Sequence, residues 1–266
     1  MKRFPLALMA ALTLAAPQAA AQRIVDAAYA MPVARYGHFA LGPPHEYARL
    51  AATTDAGRRA TFDLPDNEVF EDLAPRIVRL GANQPDAILA IVSSREAGAR
   101  LALFRVDGDR LVVAAQSAPI GTPMRWLNPV GVADLDGDGR AEIAAVITPH
   151  IGGTLKVYRR EGAALVEVAA LRGFSNHVYR STELALSMPF TVAGRPVLLV
   201  PDADRRALRV VALEGGRLVD LARCPLAAPA VGPILAVSEA EVSLGLQAGP
   251  VRIAPAACPR GSGDTP

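Results

Sequence analysis

Three stretches of this sequence align with one another and decide the fold: LALFRVDGDRL at 101–111, LKVYRREGAAL at 155–165 and LRVVALEGGRL at 208–218. Each stretch begins with alternating apolar and polar residues, passes through a glycine and returns to apolar residues. This pattern is typical of a β-hairpin with a tight turn. The second and third stretches start 54 and 53 residues after the one before, so the chain contains an internal repeat.

The residues before each hairpin extend the repeat. LAPRIV at 73–78 matches LNPVGV 54 residues later, and apolar segments at 87–92, 142–147 and 196–200 precede the three hairpins. Four antiparallel strands in a repeat of about 40–55 residues are typical of a β-propeller blade. The full repeats run over about 67–119, 120–172 and 173–225.

Two further segments, 33–66 and 226–257, read as diverged or shortened blades. The sequence therefore predicts an all-β fold, a propeller with five blades of mostly four antiparallel strands, and leaves four or six blades open. A β-sandwich has a similar density of strands but no period of 53–54 residues.

The composition agrees with a folded, turn-rich domain. Hydrophobic residues make up 51% of the 266 residues and charged residues 20%, which excludes a disordered chain. Aromatic residues are only 5%, so aliphatic side chains must fill the core. The 22 glycines and 22 prolines exclude a coiled coil.

The first 21 residues have the pattern of a secretory signal peptide. Lys2 and Arg3 precede an apolar run at 6–16, and Ala19-Ala20-Ala21 forms a cleavage signal. An N-terminal membrane anchor is the alternative, but the run is shorter than the ~20 residues that span a bilayer. We expect a periplasmic or secreted protein with one domain at 22–258, a flexible tail at 259–266 and no membrane span.

Cleavage would leave 26 basic and 26 acidic residues, so no basic excess points to nucleic acid. Two cysteines remain, Cys224 and Cys258. In an oxidising compartment such a pair usually forms one disulfide, although two buried free thiols are the alternative.

Acidic residues gather in one loop, VADLDGDGRAEIA at 132–144. Asp134, Asp136, Asp138 and Glu142 stand at positions 1, 3, 5 and 9, and the carbonyl of Arg140 stands at position 7. Alternate carboxylates with a carbonyl suit Ca²⁺, which prefers several oxygen ligands. Position 12 is Ala145, so the loop is not an EF-hand. A polar turn without metal is the alternative.

This loop, placed between the first two strands of a blade, resembles the FG-GAP or VCBS repeat of integrin-α-like β-propellers. The resemblance covers about residues 25–225, but only one repeat carries the full acidic series. It implies a calcium site with Asp134, Asp136, Asp138, the Arg140 carbonyl and Glu142 as ligands. The matching segments at 79–86 and 187–194 lack the acids, so no metal is expected there.

Loops that precede the first strand of each blade contain polar and aromatic residues, which in a propeller ring one mouth of the central channel. Such a ring predicts a pocket for an acidic or glycan ligand. Packing between blades would explain the same residues. The candidates are Arg35, Tyr36, His38, Glu71, Arg125, Trp126, Asn128, His177, Tyr179 and Arg180.

These observations predict an exported, monomeric, calcium-binding β-propeller that binds a protein or carbohydrate partner. The alternative is a periplasmic hydrolase or lyase with its site at the channel mouth. The four histidines have no zinc-binding spacing, and no familiar catalytic motif is present. A histidine paired with a carboxylate in an open pocket would favour the enzyme.

Overall fold

A computed structural model describes residues 23–261, and this part of the chain is all-β. It contains nineteen strands and a single 3-10 turn at Pro255–Ala257, with no α-helix among the described residues. None of these residues forms a helix long and apolar enough to cross a membrane. The predicted signal peptide lies outside the described residues.

Three strands precede the first full repeat: β1 (Ile24–Pro32), β2 (Glu46–Thr54) and β3 (Arg59–Asp63). Strand β4 (Glu68–Glu71) lies at the start of that repeat. The first repeat continues with β5 (Arg76–Val78), β6 (Ala87–Ser94), β7 (Gly98–Asp107) and β8 (Arg110–Gln116). The second repeat forms β9 (Leu127–Ala133), β10 (Glu142–Ile147), β11 (Gly153–Glu161) and β12 (Ala164–Phe174). The third forms β13 (Met188–Val192), β14 (Arg195–Pro201), β15 (Ala207–Glu214) and β16 (Arg217–Pro225). The last segment forms β17 (Ala230–Ala236), β18 (Val242–Leu246) and β19 (Gly249–Ile253).

Each of the three repeats folds as a four-stranded antiparallel meander, in which every strand pairs with the next. Leu101, Leu155 and Leu208 lie on the third strand of their own repeats, and all three are fully buried. Two-residue turns join the third and fourth strands. Their first residues are Gly108, Gly162 and Gly215, with φ of 65°, 60° and 55°. A positive φ at this position is what a tight hairpin turn of the primed types requires, and glycine adopts it without strain.

The repeats stack through alternate side chains of their inner strands. On β10, Ile143 and Ala145 pack in a cluster with the first repeat, whereas Ala144 and Val146 pack in a cluster with the third. The third repeat likewise packs against β17–β19 with its opposite face. Because successive side chains on a strand point to opposite faces, an inner strand between two layers must be apolar at every position.

The N-terminal strands differ from the expected shortened blade. Strands β2, β4, β6, β7, β8 and β3 close a six-stranded barrel, in which the last contact is a parallel bridge between Thr61 and Arg110. Phe70 and Phe62 both pack against Phe104 at tilted or edge-on angles, with ring centroids 5.9 and 5.0 Å apart. Burial of these rings ties the N-terminal strands to the first repeat, because aromatic side chains remove large apolar areas from water.

The sheets are joined differently along the chain. A single parallel bridge between Gln116 and Ala164 links β8 to β12, whereas the third repeat and β17–β19 form separate sheets. Strand β1 pairs with β2. Among the strand pairs of residues 23–261, none joins β17–β19 to β1–β4.

The predicted disulfide between Cys224 and Cys258 is confirmed, with Cα atoms 4.9 Å apart. It ties β16 to the end of the 3-10 turn. The chain then runs along β16, where Arg223 N–H donates to the Pro259 carbonyl and Gly261 N–H donates to that of Leu221. Residues 259–261 of the expected flexible tail are therefore paired with a strand edge, and 262–266 lie outside the described residues.

Candidate functional site

The acidic loop lies between β9 and β10 and brings three of its carboxylates together. Asp134, Asp136 and Asp138 each place an oxygen atom within 4.8 Å of the others. The Asp134 carboxylate accepts the N–H groups of Gly137 and Gly139 at 2.8 and 2.9 Å, which folds the loop around it. Three carboxylates at this spacing have the hard oxygen donors that Ca²⁺ prefers.

Glu142 and Arg140 have different surroundings. Glu142 is fully buried, and its carboxylate accepts two bonds from the Arg159 guanidinium at 2.9 and 3.0 Å. Its other oxygen accepts the Leu135 N–H at 2.9 Å. Arg159 also reaches Asp136 at 2.5 Å, and hydrogen bonding to Glu142 and Asp136 raises the pKa of Arg159. Glu142 thus anchors the loop through Arg159, while Arg140 is exposed and pairs with Gly81.

A second site is a pocket of about 380 Å³, which we call the histidine pocket. It is lined by residues of two segments, 124–126 and 148–151, together with His38 and Tyr179. The first segment precedes β9 and the second follows β10. Antiparallel pairing places them side by side, since Leu127 pairs with Ile147 and the Thr148 N–H donates to the Trp126 carbonyl at 2.9 Å.

His38 is held by Glu71, at the end of β4. Nδ1 of His38 lies 3.1 and 3.3 Å from the two Glu71 carboxylate oxygens. Glu71 is buried and also accepts the Ala40 N–H and the Ser93 hydroxyl. The indole N–H of Trp126 donates to the Glu71 carbonyl at 2.9 Å. This network fixes the His38 ring and the floor of the pocket.

His150 and His177 form a hydrogen-bonded pair with defined protonation. His177 Nε2 lies 2.9 Å from the Ser181 carbonyl, which can only accept, so this nitrogen carries a proton. Burial lowers the pKa of His177 to about 4, and burial and the neighbouring His177 lower that of His150 to about 3. Both rings are therefore neutral near pH 7. The unprotonated His177 Nδ1 accepts from His150 Nε2 at 2.6 Å, which leaves His150 Nδ1 without a proton.

Backbone strain concentrates around this pocket. Seven non-glycine residues among the described ones have a positive φ, and four of them line the pocket or adjoin a residue that does: Phe39, Met124, Thr148 and Arg180. A positive φ is a genuine outlier for a β-branched residue such as Thr148, whose φ is 52°. Such conformations cost about 1–3 kcal/mol each and gather at functional sites.

The structure brings together six of the ten residues predicted at the channel mouth: His38, Glu71, Arg125, Trp126, His177 and Tyr179. Arg180 adjoins them, with its guanidinium 5.6 Å from the centre of the Tyr179 ring. Three others have structural contacts instead.

Arg35 donates to the carbonyl of Glu68 and the carboxylate of Asp66. Asn128 is buried and donates to the carbonyls of Asn176 and Leu184. Tyr36 is buried against the pocket residue His38, whose ring it meets edge-on with centroids 5.9 Å apart, and burial raises the pKa of its phenol to about 12.

Sequence reasoning missed Met124, Thr148, His150 and Ile151. A usable signal was present, because an antiparallel β9–β10 hairpin must place the residues after β10 beside those before β9. His150 therefore had to lie near Trp126, and the two rings are parallel with centroids 6.0 Å apart.

No protein-family model matches this chain, and a search of curated proteins finds no match either. The resemblance to FG-GAP or VCBS repeats therefore depends on the acidic loop and the repeat themselves.

Proposed function

We propose that this protein is an exported calcium-binding β-propeller that acts as a protein- or carbohydrate-binding module, with the histidine pocket as its ligand site. The cluster of strained residues around the pocket carries this proposal. Four left-handed non-glycine residues at one place are costly to fold, and ligand sites are where such strain is retained.

The size and lining of the pocket agree with this role. Its volume of about 380 Å³ falls within the range of about 300–1,000 Å³ that is usual for ligand pockets. Tyr179 is 47% exposed, and its ring is available to a ligand, while Trp126 and Ile151 supply apolar walls. Apolar walls with a few placed polar groups are the usual composition of a binding site.

The propeller, export and calcium parts of the proposal have separate support. Meanders that repeat every 53–54 residues and stack face to face are the arrangement from which propellers are built. Five blades would require β17–β19 and the N-terminal strands to complete the ring. The disulfide supports an oxidising compartment such as the periplasm. Asp134, Asp136 and Asp138 would hold Ca²⁺, which would fix the β9–β10 loop.

Trp126 is the only tryptophan of the sequence, so its fluorescence reports directly on the histidine pocket. We expect a member of a panel of oligosaccharides and peptides to change this fluorescence in a saturable manner. Replacing Tyr179 with Ala should weaken binding at least about tenfold, since an aromatic ring at the centre of a site often contributes more than 1 kcal/mol.

Leu235→Ala, which removes an exposed apolar side chain from β17, is the matched control and should bind like the wild type. The proposal fails if no panel member binds, by fluorescence or by calorimetry, or if Tyr179→Ala binds as tightly as the wild type.

A hydrolase or lyase is the second candidate, and the contact between His38 and Glu71 favours it. A carboxylate that accepts the Nδ1 proton of an imidazole orients the ring and leaves Nε2 to act as a base. If a ligand from the panel is also cleaved, His38→Gln should abolish cleavage while the Trp126 response remains. Cleavage that persists in His38→Gln would exclude this assignment.

A further inference from the structure

The open side of the histidine pocket carries positive charge that no carboxylate balances. Arg125 donates from its guanidinium to the Met124 carbonyl at 2.9 Å, and neither it nor Arg180 forms an ion pair with any described residue. The carboxylate of Glu71 is 1% exposed and already accepts from His38, Ala40 and Ser93. A ligand with a carboxylate group would supply the missing partner for Arg125.

The pocket also presents an acceptor for a hydroxyl group. The hydrogen bonds from His177 to Ser181 and from His150 to His177 use Nε2 of both rings as donors. Nδ1 of His150 is left with a lone pair and makes no hydrogen bond to any residue between 23 and 261. Since a neutral imidazole nitrogen without a proton can only accept, its partner must be a donor such as a hydroxyl.

A third feature is the aromatic side of the pocket. The Tyr179 ring meets the His150 ring edge-on, with centroids 5.2 Å apart, and the Arg180 guanidinium lies over the Tyr179 ring, 5.6 Å from its centre. Tyr179 as a whole is 47% exposed. An aromatic face beside polar groups suits a ring that has both C–H faces and hydroxyl edges.

We propose that the histidine pocket binds a sugar acid, that is, a hydroxylated ring that carries a carboxylate. The carboxylate accepts from Arg125, a ring hydroxyl donates to His150 Nδ1, and a C–H face packs on Tyr179. This inference rests on the proposed ligand-binding function and narrows its ligand class. A neutral sugar leaves Arg125 without a partner, and a simple carboxylate leaves His150 Nδ1 and the Tyr179 face unused.

The test compares galacturonate, galactose and acetate as probes on the full exported protein. Galactose differs from galacturonate by having a hydroxymethyl group in place of the carboxylate, and acetate has only the carboxylate. Titrations that follow Trp126 fluorescence, repeated by calorimetry, should give galacturonate at least about tenfold tighter binding than either control. This is the size expected for a hydrogen bond to a charged group.

Arg125→Gln should remove the preference for galacturonate over galactose. Arg160→Gln is the matched control because Arg160, on the β11–β12 hairpin, donates to the Gly162 carbonyl and lies outside the pocket. It should keep the preference. His150→Phe, which retains an aromatic ring without the acceptor, should weaken galacturonate binding and leave acetate binding unchanged.

Equal affinities for galacturonate and galactose would overturn the sugar-acid assignment while leaving the pocket as a binding site. A preference that survives Arg125→Gln would overturn the role of that residue. Absence of binding by all three probes would reject sugar acids, and the broader panel of oligosaccharides and peptides then decides the binding function separately.

Discussion

At Thr148 the backbone adopts a conformation that its place in the repeat does not require. The corresponding residues are Ser94, 54 positions earlier, and Pro201, 53 positions later, and neither has a positive φ. By contrast, Gly98, Gly152 and Arg205 occupy one equivalent position of the three repeats, and all three have a positive φ, between 56° and 76°. A positive φ at that position is therefore a property of the repeat. The left-handed conformation of Thr148 therefore belongs to the histidine pocket and is not a feature of the repeat.

His177 should make the folding stability depend on pH. It is fully buried, and its pKa falls from 6.5 to about 4 on folding. Between these values the unfolded chain binds more protons than the native one, so stability is complete above about pH 6.5 and is lost as the pH falls towards 4.

The contribution of one such group is at most about 1.4 kcal/mol per pH unit. Chemical denaturation of His177→Gln should therefore show a shallower slope between pH 6.5 and 4, with the wild-type and variant curves parallel above pH 7. Equal slopes over the acidic range would contradict this expectation.

At the scale of elements, the loop between β9 and β10 has two layers of contacts. Arg159 on β11 donates hydrogen bonds to the carboxylates of Glu142 and Asp136. In addition, the carboxylates of Asp134, Asp136 and Asp138 each place an oxygen atom within 4.8 Å of the others. Three carboxylates in close contact repel each other, and a bound cation removes that repulsion. The loop should therefore be stabilised by calcium.

Calcium at about 10 mM should raise the stability of the wild type by about 1.4 kcal/mol, if the dissociation constant is about 1 mM. This corresponds to an increase in melting temperature of about 3–6 °C. Asp138→Asn should lose most of this increase, because the amide keeps an oxygen that can accept the Arg140 N–H but lacks the charge.

Asp109→Asn, in the β7–β8 turn, is the matched control and should respond to calcium as the wild type does. The calcium assignment is wrong if the wild type melts at the same temperature with millimolar calcium and with chelator.

On the scale of the whole molecule, the C-terminal segment is attached by side-chain packing and by one covalent bond. Strands β17–β19 form their own sheet and contact the third repeat through a shared apolar cluster. The Cys224–Cys258 disulfide closes this segment onto β16 across 34 positions. In the chain-entropy account such a loop contributes about 3–4 kcal/mol.

Replacing both cysteines with Ser should loosen 226–258 first. Amide hydrogen exchange in this segment should become faster than in residues 120–172, because β17–β19 form a sheet of their own that shares an apolar cluster with the third repeat but no strand pairing. Alkylation before denaturation serves as the control and should find no free thiol in the wild type. Exchange that rises evenly over all sheets would show that the disulfide does not act on this segment in particular.

The sequence alone determined the local structure of the repeats. The signals that predict it act between residues close in sequence. They are the alternation of apolar and polar residues on the outer strands, the continuous apolar runs on the inner strands and a glycine at each hairpin turn. The predicted strand at 142–147 is found at those bounds, and the hairpin glycines have the positive φ that their turns need. The disulfide pairing could also be predicted from the sequence, because only two cysteines are present.

Only the tertiary structure decided how the N-terminal strands close a barrel, which partner Glu142 takes and which loops build the histidine pocket. Each outcome depends on contacts between residues far apart in sequence, such as Thr61 with Arg110 and His38 with Glu71. Residue spacing predicted Glu142 as a calcium ligand, whereas in the structure its carboxylate accepts from the Arg159 guanidinium of the adjacent strand. Which partner a carboxylate takes depends on burial and three-dimensional distance, which a linear pattern does not encode.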